Sequence, residues 1–117
     1  MNALGTQILL ELNECDSNQL NNLPFIRQTM LSAAEEVGAT ILGHTFHQFS
    51  PQGVTGIVAI AESHFSIHTW PEYQYAAVDI FTCGEGFEPS KAAEFIIERL
   101  QAKRSEVINV ERGHLPV

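Results

Sequence analysis

The stretch that decides the fold runs from Ala61 to Cys83 and reads AESHFSIHTWPEYQYAAVDIFTC. Side chains alternate along its first part, with His64, Ser66 and His68 on one side and Phe65, Ile67 and Thr69 on the other. Successive side chains of a strand point to opposite faces of a sheet. The pattern therefore indicates a strand with one polar and one apolar face. A second, apolar strand is expected over residues 75–82.

The flanking sequence predicts further strands and two helices. Strands are expected over residues 6–13, 40–49, 54–61 and 106–110, with a turn over 16–22, a hairpin turn at Pro51-Gln52-Gly53 and a loop over 85–88. A helix begins after Asn22, which can cap it, and ends at Gly38. Another begins at Pro89, with an apolar face of Ala92, Ala93, Ile96, Ile97 and Leu100. In the strand over 40–49, alternation puts Leu42, His44 and Phe46 on one face and Ile41, Thr45, His47 and Phe49 on the other.

This order of elements is typical of an α/β protein of the α+β type. It predicts a two-layer sandwich, in which a mostly antiparallel sheet carries two helices on one face. The other face mixes Ile, Val, Leu and Phe, which favours burial against a partner. We therefore expect a homodimer that packs sheet against sheet.

Length and charge limit the possible functions. The 117 residues suit one domain, spanning 1–117, and the net charge of −8 argues against binding nucleic acid or an anionic membrane. No stretch is long and apolar enough for a signal peptide or a membrane span. Two widely spaced cysteines, Cys15 and Cys83, suit free thiols in a reducing compartment. The expected location is the cytoplasm.

Residue types alone leave three chemistries open in the central stretch. Cys83 could be a nucleophile with His64 or His68 as its base. His64, His68, Glu72 and Cys83 could bind a metal, although their spacing matches no common zinc pattern. Ser63 could act in a hydrolase, although the glycine-rich elbow of such enzymes is missing. None of the three fits well.

The central stretch closely resembles the short prokaryotic S-adenosylmethionine decarboxylase proenzymes. The resemblance covers Glu62 to Tyr73 and Tyr75 to Gly84, and extends to Glu14-Cys15-Asp16, Gly38-Ala39-Thr40, Thr45-Phe46-His47 and Glu111-Arg112-Gly113. About twenty near-contiguous positions are far more specific than a short motif.

The resemblance implies that the chain cuts itself between Glu62 and Ser63, giving fragments 1–62 and 63–117. Ser63 would attack the Glu62 carbonyl, and His68 would remove the α-proton of the resulting ester. A pyruvoyl group would then form from Ser63. Thr55 stands where the family has a serine that assists this processing, so the hydroxyl is kept and a methyl is added.

In the family, the pyruvoyl carbonyl forms a Schiff base with the substrate amine and acts as an electron sink. The residue that returns a proton to carbon corresponds to Cys83. An aromatic face for the adenine and sulfonium and a carboxylate for the ribose are candidates in Phe49, Trp70 and Glu72. Glu72 could equally be a solvated turn residue, and for Trp70 we expect a place in the core rather than in the site. The resemblance implies no metal, and a product used in spermidine synthesis. Two alternatives stay open here: a decarboxylase for arginine or another basic amino acid, and a non-catalytic homologue that binds a nucleoside.

Overall fold

A six-stranded antiparallel sheet forms one layer of the structure. The computed structural model describes residues 3–83 and 88–115. The strands are β1 (Ala3–Asn13), β2 (Ile41–Gln48), β3 (Val54–Ile60), β4 (Ser63–Trp70), β5 (Tyr75–Cys83) and β6 (Arg104–His114). Their order across the sheet is β2-β3-β4-β5-β1-β6, and every neighbouring pair is antiparallel. The first strand in the sequence therefore lies between the last two.

Helices cover one face of this sheet, as the sequence predicts. The helices are α1 (Ser17–Leu20), α2 (Leu23–Glu36) and α3 (Pro89–Arg99), and a 3-10 helix spans Pro71–Tyr73. Asn22 caps α2 by accepting a hydrogen bond from the Phe25 N–H. Gly38, just beyond the helix, has a φ of +72°, which a glycine adopts without steric cost. The α+β sandwich is confirmed.

The core lies between the helices and the sheet. Its central strands contribute every second residue, including Phe65 and Ile67 of β4 and Val78 and Ile80 of β5, all of them buried. Ile26 and Met30 of α2 and Ile96 of α3 close it from the other side. The predicted alternation in β4 is confirmed, because Phe65, Ile67 and Thr69 are all buried on this side. His64, Ser66 and His68 therefore lie on the opposite, open face.

The assignment of faces in β2 was wrong for its first residues. Ile41 pairs with Ile60 and Gly43 pairs with Ala59, so Leu42 is one extra residue, a β-bulge. The bulge brings Ile41 and Phe46 to the same side, where both pack against the core, and leaves Leu42 exposed. Phe46 lies over Gly56, its partner in the register, where any side chain would collide with the ring.

Two further differences concern the number and length of elements. The predicted turn over 16–22 contains the short helix α1, which Asp16 caps by accepting hydrogen bonds from the N–H groups of Asn18 and Gln19. The structure thus has three α-helices in its described part, not two. The last strand is eleven residues long rather than five. The predicted loop over 85–88 falls mostly outside the described residues.

The open face of the sheet carries apolar side chains that none of the described helices covers. Ile57, Ile108 and Val110 are exposed to 45%, 44% and 37%. Ile108 pairs with Leu9 and Val110 with Gln7, so the apolar surface continues from β6 onto β1. Such a surface is expected to find a partner.

Candidate active site

The Glu62–Ser63 peptide bond lies at the tip of a tight hairpin between β3 and β4. Ile60 pairs with Ser63, so only Ala61 and Glu62 form the turn. Glu62 has a φ of +67°, in the left-handed region that a residue with a side chain rarely occupies. Such a conformation costs on the order of 1 to 3 kcal/mol, which the flanking ladder must offset. The strained residue is therefore the one whose carbonyl Ser63 would attack.

Cys83 contacts both sides of this bond. Its thiol donates a hydrogen bond to the Glu62 carbonyl oxygen, and its backbone N–H donates one to the Ser63 hydroxyl at 3.3 Å. Ser63 and Thr82 are partners in the β4–β5 register, so the antiparallel pairing brings the end of β5 to the turn. Glu62, Ser63 and Cys83, predicted from distant parts of the sequence, form one group, which we call the cleavage cluster.

His68 and Thr55 form a second group. They are directly opposite each other in the β3–β4 register, and the Thr55 hydroxyl lies 3.0 Å from Nδ1 of His68. His68 is exposed on the open face. A hydroxyl at one ring nitrogen orients the imidazole and leaves Nε2 free for a substrate or a partner.

A cavity of about 310 Å³ adjoins this second group. Its walls are Phe49, Gln52, Gly53, Thr55, His68, Thr69, Trp70 and Glu72. The three residues proposed for substrate binding, Phe49, Trp70 and Glu72, therefore line one pocket together. Trp70 is exposed to 39%, so it is not a core residue. The pocket offers two aromatic faces, a carboxylate and an imidazole.

The cleavage cluster and the pocket lie far apart within one chain. Ser63 and His68 are five residues apart on β4, and five residues of strand span about 16 Å. This distance rules out a direct proton transfer from Ser63 to His68 of the same chain in this arrangement. Ser63 and Cys83 therefore meet, and His68 and Thr55 meet, but the two pairs do not.

On the open face, Tyr75 links Trp70 at the pocket to Glu11 of β1. The Trp70 indole packs against the Tyr75 ring, with centroids 5.4 Å apart, and the Tyr75 hydroxyl donates a 2.7 Å hydrogen bond to Glu11. Burial, together with the neighbouring Glu11 carboxylate, raises the pKa of Tyr75 to about 12. Tyr75 stays protonated near neutral pH and can keep donating this hydrogen bond.

His64, which could have served as a base, stacks on a neighbouring ring instead. Its imidazole lies on Phe81 of β5, with ring centroids 5.6 Å apart and planes 25° apart. The two residues are partners in the β4–β5 register. His64 therefore has a packing partner on the open face, which accounts for an aromatic residue at this position.

Three pocket residues were missed by the reasoning from sequence: Gln52, Gly53 and Thr69. Gln52 and Gly53 were assigned only to a turn, and Thr69 only to the apolar side of β4. The signal that could have found Gln52 and Gly53 is the position of Phe49 at the same hairpin turn. Thr69 precedes Trp70 in β4, which is the signal for that residue.

Two kinds of feature are absent from the described ranges, 3–83 and 88–115. No group of three histidine, cysteine, aspartate or glutamate side chains is arranged there to hold a metal ion. Among those residues, no helix has the length and apolar character needed to cross a membrane.

Comparison with known proteins identifies the family. Residues 6–113 match the family model described as S-adenosylmethionine decarboxylase. The chain is 53% identical over 113 residues to an S-adenosylmethionine decarboxylase proenzyme of Thermotoga maritima, covering 97% of this chain and 87% of that protein. It is 47% identical to the proenzyme of that name from Shouchella clausii, covering 100% of this chain and 91% of the other.

A solved structure extends the likeness to three dimensions. The crystal structure of the adenosylmethionine decarboxylase from Aquifex aeolicus superposes with a TM-score of 0.92 at 35% identity. The match covers 99% of this chain and 96% of that one. Sequence and fold agree along almost the whole length. This chain belongs to the S-adenosylmethionine decarboxylase family.

Proposed function

We propose that this protein is a proenzyme that cuts itself between Glu62 and Ser63 and then decarboxylates S-adenosylmethionine. The observation that carries the proposal is the cleavage cluster, in which a left-handed Glu62 precedes a serine and a cysteine thiol contacts the Glu62 carbonyl. Family membership alone does not explain why these groups meet at one peptide bond. Self-cleavage does.

The proposed cleavage begins with an acyl shift. The Ser63 hydroxyl adds to the Glu62 carbonyl carbon, the C–N bond breaks, and the nitrogen of residue 63 becomes an amine while Glu62 is held as an ester. A hydrogen bond from the Cys83 thiol to the carbonyl oxygen stabilises the negative charge that develops there. The left-handed conformation of Glu62 raises the energy of the uncut chain, which favours this step as the ester lets the backbone at residue 62 relax.

The second step needs a base at the α-carbon of residue 63. His68 has the appropriate chemistry, since an imidazole accepts a proton near neutral pH. It cannot reach Ser63 of its own chain across about 16 Å of strand. We therefore assign this step to His68 of a second copy, packed on the open face. Removing the proton expels the Glu62 carboxylate, and hydrolysis of the residue left at 63 gives ammonia and the pyruvoyl group.

The expected homodimer, sheet against sheet, would supply this geometry. His68 and the apolar Ile57 and Ile108 lie on one open face, so the surface that needs covering also carries the base. A two-fold interface would give two equivalent sites, each with Ser63 and Cys83 from one copy and Thr55 and His68 from the other.

The residues around position 63 fit a pyruvoyl group. Its precursor is a serine at the start of β4, where the Cys83 N–H already donates to the side-chain oxygen. Once formed, the group supplies an electron sink for loss of the substrate carboxylate. Cys83 is assigned the return of a proton to the substrate carbon, because its thiol lies at the cut bond and is only partly buried.

The pocket is assigned to the nucleoside part of S-adenosylmethionine. Phe49 and Trp70 offer aromatic faces to the adenine and the sulfonium, and Glu72 can accept hydrogen bonds from the ribose hydroxyls. The amino-acid end would then extend toward Ser63 and Cys83 of the other copy. Both cysteines are free thiols, which fits work in the cytoplasm, where the product would serve spermidine synthesis.

Intact mass and a substrate comparison test the proposal. Purified protein is expected as two fragments, 1–62 and 63–117, the second blocked to N-terminal sequencing. Ser63→Ala is expected to stay whole. Cys83→Ala is expected to lose at least tenfold in decarboxylation once processed, because it lacks the proton donor. Carbon dioxide release from arginine or ornithine but not from S-adenosylmethionine would reject the substrate, and a chain that never cleaves would favour a non-catalytic binding protein.

A further inference from the structure

The walls of the pocket come from three separate pieces of chain. They are the hairpin turn over 49–53, the end of β4 at Thr69 and Trp70, and the 3-10 helix Pro71–Tyr73 with Glu72. A segment that contributes no wall, residues 15–21, is hydrogen-bonded to the first two pieces and to Gln74, the residue directly after the third. We call it the anchor segment. We propose that the anchor segment positions the walls for S-adenosylmethionine, with Asn21 as its principal positioning residue; this rests on the proposed substrate pocket.

Asn21 holds the first wall. Its side-chain oxygen accepts hydrogen bonds from the Gly53 N–H and from the Gln48 amide, both at 2.9 Å. Gln48 also donates to the Gly53 carbonyl at 3.0 Å. These bonds bridge the two ends of the turn that carries Phe49, and Phe49 itself donates its N–H to the Gly53 carbonyl at 2.8 Å. One amide oxygen thus sets the turn's place relative to the helices.

Leu20 holds the second wall. Its carbonyl accepts a 2.8 Å hydrogen bond from the Thr69 hydroxyl, which in turn accepts one from the Val54 N–H at 2.8 Å. Thr69 and Leu20 are both buried, so these bonds are shielded from water. The bonds tie the last turn of α1 to β3 and to the strand end that carries Trp70.

Cys15 holds the third wall through a reciprocal pair of hydrogen bonds. Its N–H donates to the Gln74 carbonyl at 3.0 Å, and the Gln74 side-chain amide donates back to the Cys15 carbonyl at 3.1 Å. Gln74 follows the 3-10 helix with a φ of +54° and closes it by donating to the Pro71 carbonyl. The turn that presents Glu72 is therefore fixed at its C-terminal end.

The anchor segment is itself well fixed, so it can serve as a common reference. Asp16 caps α1, and the side chains of Cys15 and Leu20 are buried in the core. A pocket built from three loops binds a ligand better when the loops are held in place before binding, because less ordering is needed on association. Loss of one tie should weaken substrate binding more than the chemistry, since Ser63 and Cys83 lie elsewhere.

The test compares Asn21→Ala, which removes the acceptor, with Asn21→Asp, which keeps an oxygen there. Asn18→Ala is the matched control: it is an exposed asparagine in α1, three residues before Asn21, and within the described residues only its backbone N–H is hydrogen-bonded, to Asp16. Loss of two hydrogen bonds predicts a KM for S-adenosylmethionine about tenfold higher in Asn21→Ala, with kcat changed less than about twofold. Asn21→Asp and Asn18→Ala are expected to keep the KM of the unchanged protein.

A second readout does not depend on turnover. Trp70 is the only tryptophan in the sequence, so quenching of its fluorescence by acrylamide reports on the pocket alone. Quenching should increase in Asn21→Ala and stay unchanged in Asn21→Asp. If Asn21→Ala does not fold, Gln48→Met, which removes one of the two donors, should give a smaller rise in KM and in quenching.

The outcomes separate the two proposals. Unchanged KM and unchanged Trp70 quenching in a folded Asn21→Ala protein would overturn the anchor segment's role. A kcat loss as large as the KM rise, not restored by Asp, would also overturn it, because it would indicate general damage. Absence of S-adenosylmethionine turnover in the unchanged protein would reject the proposed function, while the quenching series would still test the anchor.

Discussion

The Thr55 hydroxyl and Nδ1 of His68 lie 3.0 Å apart across the β3–β4 ladder. For His68 to accept a proton at Nε2, its Nδ1 must carry the hydrogen and donate it to Thr55. The Thr55 hydroxyl can accept that hydrogen, and the contact holds the ring with Nε2 turned away from Thr55. The methyl group of Thr55 leaves its hydroxyl within reach of the ring.

Removal of the Thr55 hydroxyl should slow self-cleavage. Thr55→Val keeps the shape but cannot accept the Nδ1 hydrogen, so the rate is expected to fall about tenfold to a hundredfold. Thr55→Ser is the control and should cleave at least as fast as the unchanged chain. Time courses on denaturing gels measure both. Equal rates for Val and Ser would remove Thr55 from processing.

Cleavage should be rescued between two inactive variants if the base comes from a second copy. His68→Ala has the serine but no base, and Ser63→Ala has the base but no serine. Each alone should stay whole, whereas in a mixture the His68→Ala chain should be cut and the Ser63→Ala chain should not. A size tag on one variant distinguishes them by mass. No cleavage in mixtures proven to contain mixed dimers would mean that His68 acts within its own chain.

The left-handed Glu62 should act as a source of strain in the uncut chain. Glycine adopts a φ of +67° without the steric cost, so Glu62→Gly is expected to cut more slowly, by about fivefold for about 1 kcal/mol of relieved strain. In a Ser63→Ala background, which cannot cut, the same change should raise the free energy of unfolding by about 1 kcal/mol. Urea denaturation measures the second effect. Lower stability of the glycine variant would show that Glu62 is not strained.

The two cysteines should differ in reactivity. Burial raises the pKa of the Cys15 thiol from 9.0 to about 11, so at pH 8 almost none of it is thiolate. Cys83 is only partly buried, at the cleavage turn. Iodoacetamide at pH 8 should therefore label Cys83 first and Cys15 only after unfolding. Peptide mass mapping gives the order, and prompt labelling of Cys15 in the folded protein would contradict the burial argument.

The raised pKa of Cys15 also predicts a dependence of stability on pH. The folded state holds the thiol proton more tightly than the unfolded state, so this contribution is complete below pH 9.0 and is lost as the pH rises toward about 11. Cys15→Ala should flatten the free energy of unfolding over that window. An unchanged slope would assign the alkaline loss to other groups, such as Tyr75, whose pKa is about 12.

The elements that local rules describe well could be predicted from sequence. Asn22 capping α2, Gly38 ending it, and the alternation in β4 each depend on one residue type in one conformation. The bulge at Leu42 could not be predicted, because it depends on Ile41 and Phe46 both packing against the core, with the Phe46 ring over Gly56 of the neighbouring strand. Helix α1 is only four residues long, below the length at which periodicity is informative.

The candidate site, like the fold, could be predicted from sequence only in part. Ser63, His68 and Cys83 come from the resemblance, and pairing of β4 with β5 then brings Cys83 to the turn. The distance between Ser63 and His68 can be calculated from strand spacing, but only once the structure shows that both residues lie on the same strand. The ties from Asn21 and Leu20 to the pocket join residues far apart in the sequence, so no local pattern indicates them.

The place of β1 between β5 and β6 has a consequence for the mature protein. A cut after Glu62 would leave β1, β2 and β3 on one fragment and β4, β5 and β6 on the other, so β1 is enclosed by strands of the other fragment. The two fragments could not separate without breaking three hydrogen-bonded ladders, β3–β4, β1–β5 and β1–β6. Unfolding, however, would release two molecules instead of one. Unfolding of the mature protein by heat or denaturant would then also be a dissociation, so its midpoint would depend on protein concentration. The precursor could refold as one chain, whereas the mature protein could refold only after its two fragments meet again.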